Sequence, residues 1–458
     1  MSEAAMNKMP ASKAAIIEKI QMSGRLVVQS PLCIGSGQDD GITDSLVLKN
    51  KQGKAFIPGT SLAGVLRDIV DSYDSRQADL LFGNLSDNRQ SMINIDDVLL
   101  ENSVYTVRDG VRIDSITNTA EDTGKFDYEV VERGDSGSFS ATITIRKNDI
   151  EDKAAVEKLA VALADQLMYG ISLGAHTAKG FGEIRGRQLE VATYDFSKPS
   201  ALEAWLLGER LQADVYAAVA KPLTAADEFY AELDLALKTS LLVGTEPDVF
   251  DAGSGDGEGK VQKVMLSSKG EYVIPGTSVK GVIRKQAEHI CRVMGDYEEN
   301  FLGSLMGYSR SDKAKQRSRL RTYEVYLGEG VEAVNQSHVR IDRFTGGQMG
   351  SGLYTNKPLW QKKADAKTMT MRFAISGCSD AEAGLMLLIL KDIWTGQLAF
   401  GGDKAGGSGV MQGLKAVVSY KGTKYMMEKA AGGIKVSAED RAAMNSLVEA
   451  FVKAGGRA

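Results

Sequence analysis

Two acidic, glycine-rich loops carry the carboxylates best suited to chemistry. The first, Gly35-Ser36-Gly37-Gln38-Asp39-Asp40-Gly41-Ile42-Thr43-Asp44, follows an early strand; the second, Gly244 to Asp256, is longer and holds Asp248, Asp251 and Asp256. A carboxylate on such a loop can move a proton or hold a divalent metal ion. Taken alone, one acidic loop reads as a solvated surface turn, and neither has the glycine and terminal Glu positions of an EF-hand. Two further loops are rich in glycine: Gly174-Ala175-His176-Thr177-Ala178-Lys179-Gly180-Phe181-Gly182 and Gly401-Gly402-Asp403-Lys404-Ala405-Gly406-Gly407-Ser408-Gly409. Both lack the Gly-Lys-Ser/Thr ending of a nucleotide-hydrolysing loop, and both follow a helix instead of opening one. Their glycines still admit a ligand backbone closely, with His176, Lys179 and Lys404 at hand for polar contacts.

Other chemistries find less support. His176, His289 and His338 are the only histidines, too far apart for a sequence-local zinc site, and no HExxH occurs. Cys33, Cys291 and Cys378 form no CxxC, which fits a reducing cytoplasm. A run from Ser309 to Arg321 holds six basic residues and one acid without an aromatic among them. Such a run is usually a solvated face; on RNA it would neutralise phosphates and position the strand without reading bases. The net charge of −5 argues against a protein that coats nucleic acid indiscriminately, though a local basic groove remains compatible with it. The longest apolar run, Gly384 to Leu390, is far short of the ~20 residues of a membrane span, and the N-terminus has no apolar signal segment.

The chain repeats itself. Ile57-Pro58-Gly59-Thr60-Ser61 recurs 217 positions later as Ile274-Pro275-Gly276-Thr277-Ser278. Val111-Arg112-Ile113-Asp114 recurs 228 positions later as Val339-Arg340-Ile341-Asp342, and the two glycine loops lie 227 apart. Three matches in one order at a nearly constant offset mean two copies of one domain. The 458 residues divide on this reading into a first repeat at 1–198, a linker helix at 199–225, a second repeat at 226–425 and a helical tail at 426–458.

Each copy supplies the elements that must hold these loops. A period-2 strand opens it (Arg25–Gln29; Tyr230–Leu235), then the acidic loop, then a short strand ending at Ile-Pro-Gly. Thr60 and Thr277 stand where an N-cap would open a helix with Leu62, Val65, Leu66, Ile69 or Val279, Val282, Ile283 on its apolar side. Free N–H groups at that helix end suit a phosphate, and Arg67, Lys280, Arg284 and Lys285 follow on the polar side; a well-capped core helix is the plainer account. A strand-rich middle, a second helix (about 152–169 and 380–395), the glycine loop and a last strand complete each copy. The expected fold is α+β: two tandem ferredoxin-like (RRM-like) βαββαβ domains with hairpin insertions.

The Ile-Pro-Gly-Thr-Ser helix start, the stretch Val339-Arg340-Ile341-Asp342-Arg343-Phe344-Thr345-Gly346-Gly347 and the glycine loop before the last strand together resemble the RAMP superfamily, the RNA-binding subunits of CRISPR effector complexes. Ile42-Thr43-Asp44-Ser45-Leu46-Val47 upstream of Ile57-Pro58-Gly59 is similar to the type III backbone subunit that lines the guide, here in a tandem fusion like the III-D and III-E forms. The resemblance implies that guide RNA is gripped by Ser61, Arg67, Ser278, Lys280 and Arg284, by Gly174, His176, Lys179, Gly180, Lys404, Gly406 and Gly407 of the loops, and by Arg340 and Arg343. It implies thumb hairpins at about 115–125 and 343–352, with Ile116, Phe344 and Met349 as wedge candidates. It implies that Asp44 cuts complementary target RNA, as base or as ligand of Mg2+ or Mn2+, within a cytoplasmic complex containing other RAMP-type, small and large subunits. In the second copy, counting back from Pro275 puts Val261 at the matching place, so either this copy is catalytically silent or the longer loop brings Asp248, Asp251 or Asp256 into use, the first two being the expected ones. Three alternatives remain: a non-catalytic scaffold, a guide-processing endoribonuclease using His176, and a small-molecule enzyme on paired ferredoxin-like domains.

Overall fold

The computed structural model describes residues 15–37, 43, 45–84, 86, 89–113, 120–211, 214–215, 228–245, 261–295, 297, 300–307, 316–364, 366–431 and 433–455. The chain forms two compact units, one of Met1–Thr177 with Phe181–Ala225, the other of Ala178–Gly180 with Ala226–Ala458.

The first unit contains β1 (Ile16–Val28), α1 (Gly59–Tyr73), α2 (Ser75–Phe82), β2 (Ile93–Ile95), β3 (Tyr105–Ile113), β4 (Ala120–Val131), β5 (Ser136–Arg146), α3 (Lys153–Tyr169), β6 (Glu183–Asp195) and α4 (Pro199–Leu207). Its main sheet runs β6-β1-β5-β2 with all neighbours antiparallel, and Asp214–Val215 adds to the outer edge of β6. Alternation places Ile20, Met22, Leu26 and Val28 of β1 beside Phe139, Ala141, Ile143 and Ile145 of β5 on one face. Leu62, Leu66 and Val70 of α1 and Leu159, Leu163 and Leu167 of α3 recur at helical spacing and join the same core.

The second unit contains β7 (Phe229–Leu237), β8 (Val261–Met265), α5 (Gly276–Met294), α6 (Asn300–Met306), β9 (Leu320–Thr322), β10 (Gln336–Ile341), β11 (Gln348–Lys357), β12 (Met369–Ile375), α7 (Asp380–Trp394), β13 (Met411–Tyr420), β14 (Thr423–Ala430), β15 (Gly433–Lys435) and α8 (Ala438–Ala454). Its sheet order, β9-β12-β7-β13-β14-β15, repeats that of the first unit and extends it by two strands. Those strands occupy the start of the expected helical tail. Tyr425 and Met427 face inward with exposed neighbours, a period of two that favours a strand over a helix. The helix α8 then packs on α7, where Gly384 has no side chain to meet the Leu447 carbonyl. This cover explains why the apolar run Gly384–Leu390 is almost entirely buried.

Helix starts differ from the expected caps. Pro58 and Pro275, not Thr60 and Thr277, hold the cap positions, and neither helix has a side-chain cap of its own. The Gly59 N–H is instead satisfied by Asp97 Oδ1 at 2.8 Å, from a loop distant in sequence. Helix α4 likewise has no side-chain cap: Lys198 holds the cap position and Pro199 the first helical one.

Candidate nucleic-acid interface

In the first unit the strand segment after Asp44, the base of the β3–β4 hairpin and the glycine loop come together. Ser45 bridges Tyr128 in parallel, and the Glu129 N–H donates to Ser45 O at 2.9 Å. Glu129 fixes the same segment with its carboxylate, accepting from Val47 N at 3.0 Å and from Lys49 Nζ at 2.8 Å. On its other side Tyr128 meets the glycine loop: its ring centroid lies 4.9 Å from His176 and 5.5 Å from Phe181. The loop is tied down in turn by Ala175 N donating to Cys33 O at 2.7 Å. Asp44 itself lies outside the described residues, between Thr43 and Ser45, which are described; Ile116, Asp248 and Asp251 lie outside them too.

The second unit builds the same junction with different side chains. Lys263 of β8 pairs with Asn356 of β11 in parallel, as Ser45 does with Tyr128. Asn356 Nδ2 donates to Asp403 Oδ2 at 3.2 Å, where in the first unit Tyr128 meets His176 with the two rings tilted by 42°. Gly402 N donates to Leu242 O at 2.7 Å, the counterpart of the Ala175 bond. His176 and Asp403 share a left-handed backbone, φ 59° and 52°, at the same loop position. This register places Gln262, one residue beyond the counted Val261, opposite Asp44; no carboxylate stands there.

Several residues expected to grip RNA do structural work. Lys280 is only 9% exposed and donates to Ser318 Oγ at 2.6 Å, Leu320 O at 3.1 Å and Ala178 O at 3.4 Å. It is a buried anchor and not a strand contact, because helix, loop and β9 close over its amine. Burial, reinforced by the nearby cations of Lys179 and Arg284, pulls its pKa down to about 7. Gly180 is buried as well; a Cβ there would sit 2.8 Å from Glu324 N, so packing accounts for the glycine. Arg67 donates to Gly83 O at 2.5 Å and pairs with Asp79 at 2.7 Å; Arg284 donates to Gly307 O at 3.3 Å and to Glu288 at 3.1 Å. Each arginine thus fastens its helix to the carbonyl closing the next one, and the repeat reproduces that job. From the basic run, Arg319 is a hub: it pairs with the buried Glu382 and donates to Ser304, Ser376 and Gly377 carbonyls.

Other expected residues are presented outward. Lys404, Gly406 and Gly407 are exposed, and nothing lies within 4 Å of where a Cβ on either glycine would stand. Gly174 is exposed but packs tightly over Cys33 O; His176 and Lys179 are half-buried, as are Ser61 and Ser278 at the helix starts. The β10–β11 hairpin carries exposed Arg340 and Arg343, with Phe344 100% and Met349 51% exposed at its tip. Asp342 Oδ1 shapes that tip by accepting from Phe344 N at 2.7 Å and Thr345 N at 2.9 Å, bonds that hold its carboxyl below the usual range. Along the hairpin His338 stacks on Tyr354 at 4.9 Å with Arg340 5.4 Å away over the same ring. Sequence reasoning missed Tyr128, Asn356 and Tyr354; the constant offset linking Tyr128 to Asn356 was the available signal.

Among the described residues no group of three or more His, Cys, Asp or Glu could hold a metal ion. Nor is any described helix long and apolar enough to cross a membrane.

Residues 25–185 and 234–412 each match the family model of the RAMP superfamily. The chain belongs to this superfamily, with its domain present twice in tandem. No curated protein matches it. Among solved structures it is similar to a chain of the Type III-B Cmr-beta complex, determined by cryo-EM bound to cognate target RNA. Identity is 15% and the TM-score 0.30, over 38% of this chain and 61% of that one.

Proposed function

We propose that this chain is a guide-RNA-holding backbone subunit of a type III CRISPR interference complex, and that it cuts complementary target RNA with Asp44. The observation that carries the reading is the repeated junction: in both units a glycine loop is fastened to the base of an exposed hairpin and to the strand segment beside it. Two such junctions in a RAMP protein suit a strand that passes both loops. Each unit then reads as a ferredoxin-like domain, a view supported by the matching strand orders and by the paired helices α1, α3 and α5, α7. The bare Phe344 and Met349 tip suits a wedge between guide and target, where burial would reward apolar side chains that the free protein leaves in water.

A wedge of this kind opens the chemistry. A-form geometry keeps the ribose 2′-hydroxyl out of line with the adjacent phosphate, and a kinked linkage can bring it in line. Asp44 takes the hydroxyl proton; the 2′-oxygen bonds to phosphorus as the bond to the 5′-oxygen breaks, and that oxygen takes a proton from water, leaving a 2′,3′-cyclic phosphate and a 5′-OH. Cutting at the second repeat would fall to Asp248 or Asp251, since Gln262 stands opposite Asp44. Guide RNA, target RNA and further RAMP-type, small and large subunits are the partners this role requires.

A salt titration of RNA binding tests the reading. Repeat-derived single-stranded RNA should bind the purified chain with log K falling linearly in log salt, at a slope of about −0.7 per phosphate neutralised. Absence of RNA affinity at low salt favours the small-molecule enzyme instead.

A further inference from the structure

The two glycine loops differ in one chemically decisive place. At their shared left-handed position the first has His176, leaning on Tyr128, and the second has Asp403, held by Asn356. The Asp403 main chain is pinned by Gly406 N at 2.9 Å and Ser408 N at 3.3 Å, both donating to its carbonyl. One carboxylate oxygen is engaged by Asn356, and the side chain is exposed beside the open backbone of Gly406 and Gly407. An ionised carboxylate is acceptor-only. It repels a phosphate, so a ribose-phosphate strand passing this loop must offer it a donor, and the strand's sugar has one: the 2′-hydroxyl.

We propose that Asp403 makes the second repeat selective for RNA over DNA by accepting a hydrogen bond from the 2′-hydroxyl of one nucleotide in the bound guide. The inference rests on the guide-holding role and adds a residue that discriminates, an acceptor-only carboxylate where the first repeat has the imidazole of His176. A hydrogen bond to a charged group is worth about tenfold or more in affinity.

The test uses the full chain and a series of guide RNAs, each carrying a single 2′-deoxy nucleotide. Wild type should lose about tenfold in affinity at one guide position. Asp403→Ala should abolish that loss while leaving the other positions as they were, and Asp403→Asn, which keeps an acceptor oxygen, should retain part of it. Unchanged discrimination in Asp403→Ala overturns the proposal, as does an equal tightening of every guide, which would make Asp403 merely a repulsive charge. A wild type equally tolerant of deoxy substitution everywhere also overturns it and leaves guide binding intact. No binding of any guide removes the functional reading and this inference together.

Discussion

Asp44→Ala should slow target cutting at least about a hundredfold while guide and target affinities stay within about twofold. The separation follows from the anchoring of the neighbouring Ser45. Ser45, the next residue, is main-chain bonded to Tyr128 and Glu129, so the segment keeps its position without the Asp44 side chain. On the proposed function, what goes is the group that would accept the 2′-hydroxyl proton, and general-base contributions of about 10²–10⁴ are typical. The products of the wild-type reaction should end in a 2′,3′-cyclic phosphate, checked by end-labelling after phosphatase treatment. Unchanged cutting with retained binding would make the chain a scaffold. Cutting of precursor repeat RNA lost in His176→Ala would make it a guide-processing nuclease.

A second large effect concerns stability and pH. The Lys280 amine sits among three neutral oxygens, with no carboxylate paired to it among the described residues, and its pKa falls from the usual 10.5 to about 7. Between these values the unfolded chain holds a proton that the folded chain has released. Raising the pH therefore favours the folded state across this window, by up to about 1.4 kcal/mol per pH unit. Below pH 7 both states are protonated and the contribution is flat. Lys280→Met removes the linkage, so wild type should gain on the variant by about that slope when both are unfolded in denaturant at pH 7, 8 and 9. Taking the difference cancels the other groups that titrate there. Parallel pH profiles would mean that Lys280 is charged and solvated in the folded protein.

The same lysine shows where sequence reading stops. On a helix its charge marks it as a surface residue, and only Ala178, Ser318 and Leu320, all remote in sequence, make its position an interior one. The structural bonds of Arg67 and Arg284 were hidden for a similar reason, because Gly83 and Gly307 become their acceptors only once the following helix folds back. Local signals fared better. The periodic apolar residues of α3 and α7 gave helices within a residue of Lys153–Tyr169 and Asp380–Trp394. Repetition carried the most information: the constant offset between Val111-Arg112-Ile113-Asp114 and Val339-Arg340-Ile341-Asp342 announced two hairpins and, in retrospect, the Tyr128 and Asn356 junctions at their bases. The exchange of His176 for Asp403 at one backbone conformation was visible in the aligned loops, but its meaning needed the hydrogen bond from Asn356.

The central claim is that each junction holds guide RNA. A photo-crosslinking side chain placed at Ala175 and, in a second variant, at Gly402 tests it directly. The account predicts that each variant links to one stretch of the bound guide whatever the guide sequence. Crosslinks scattered along the strand, or confined to one of the two loops, would contradict it.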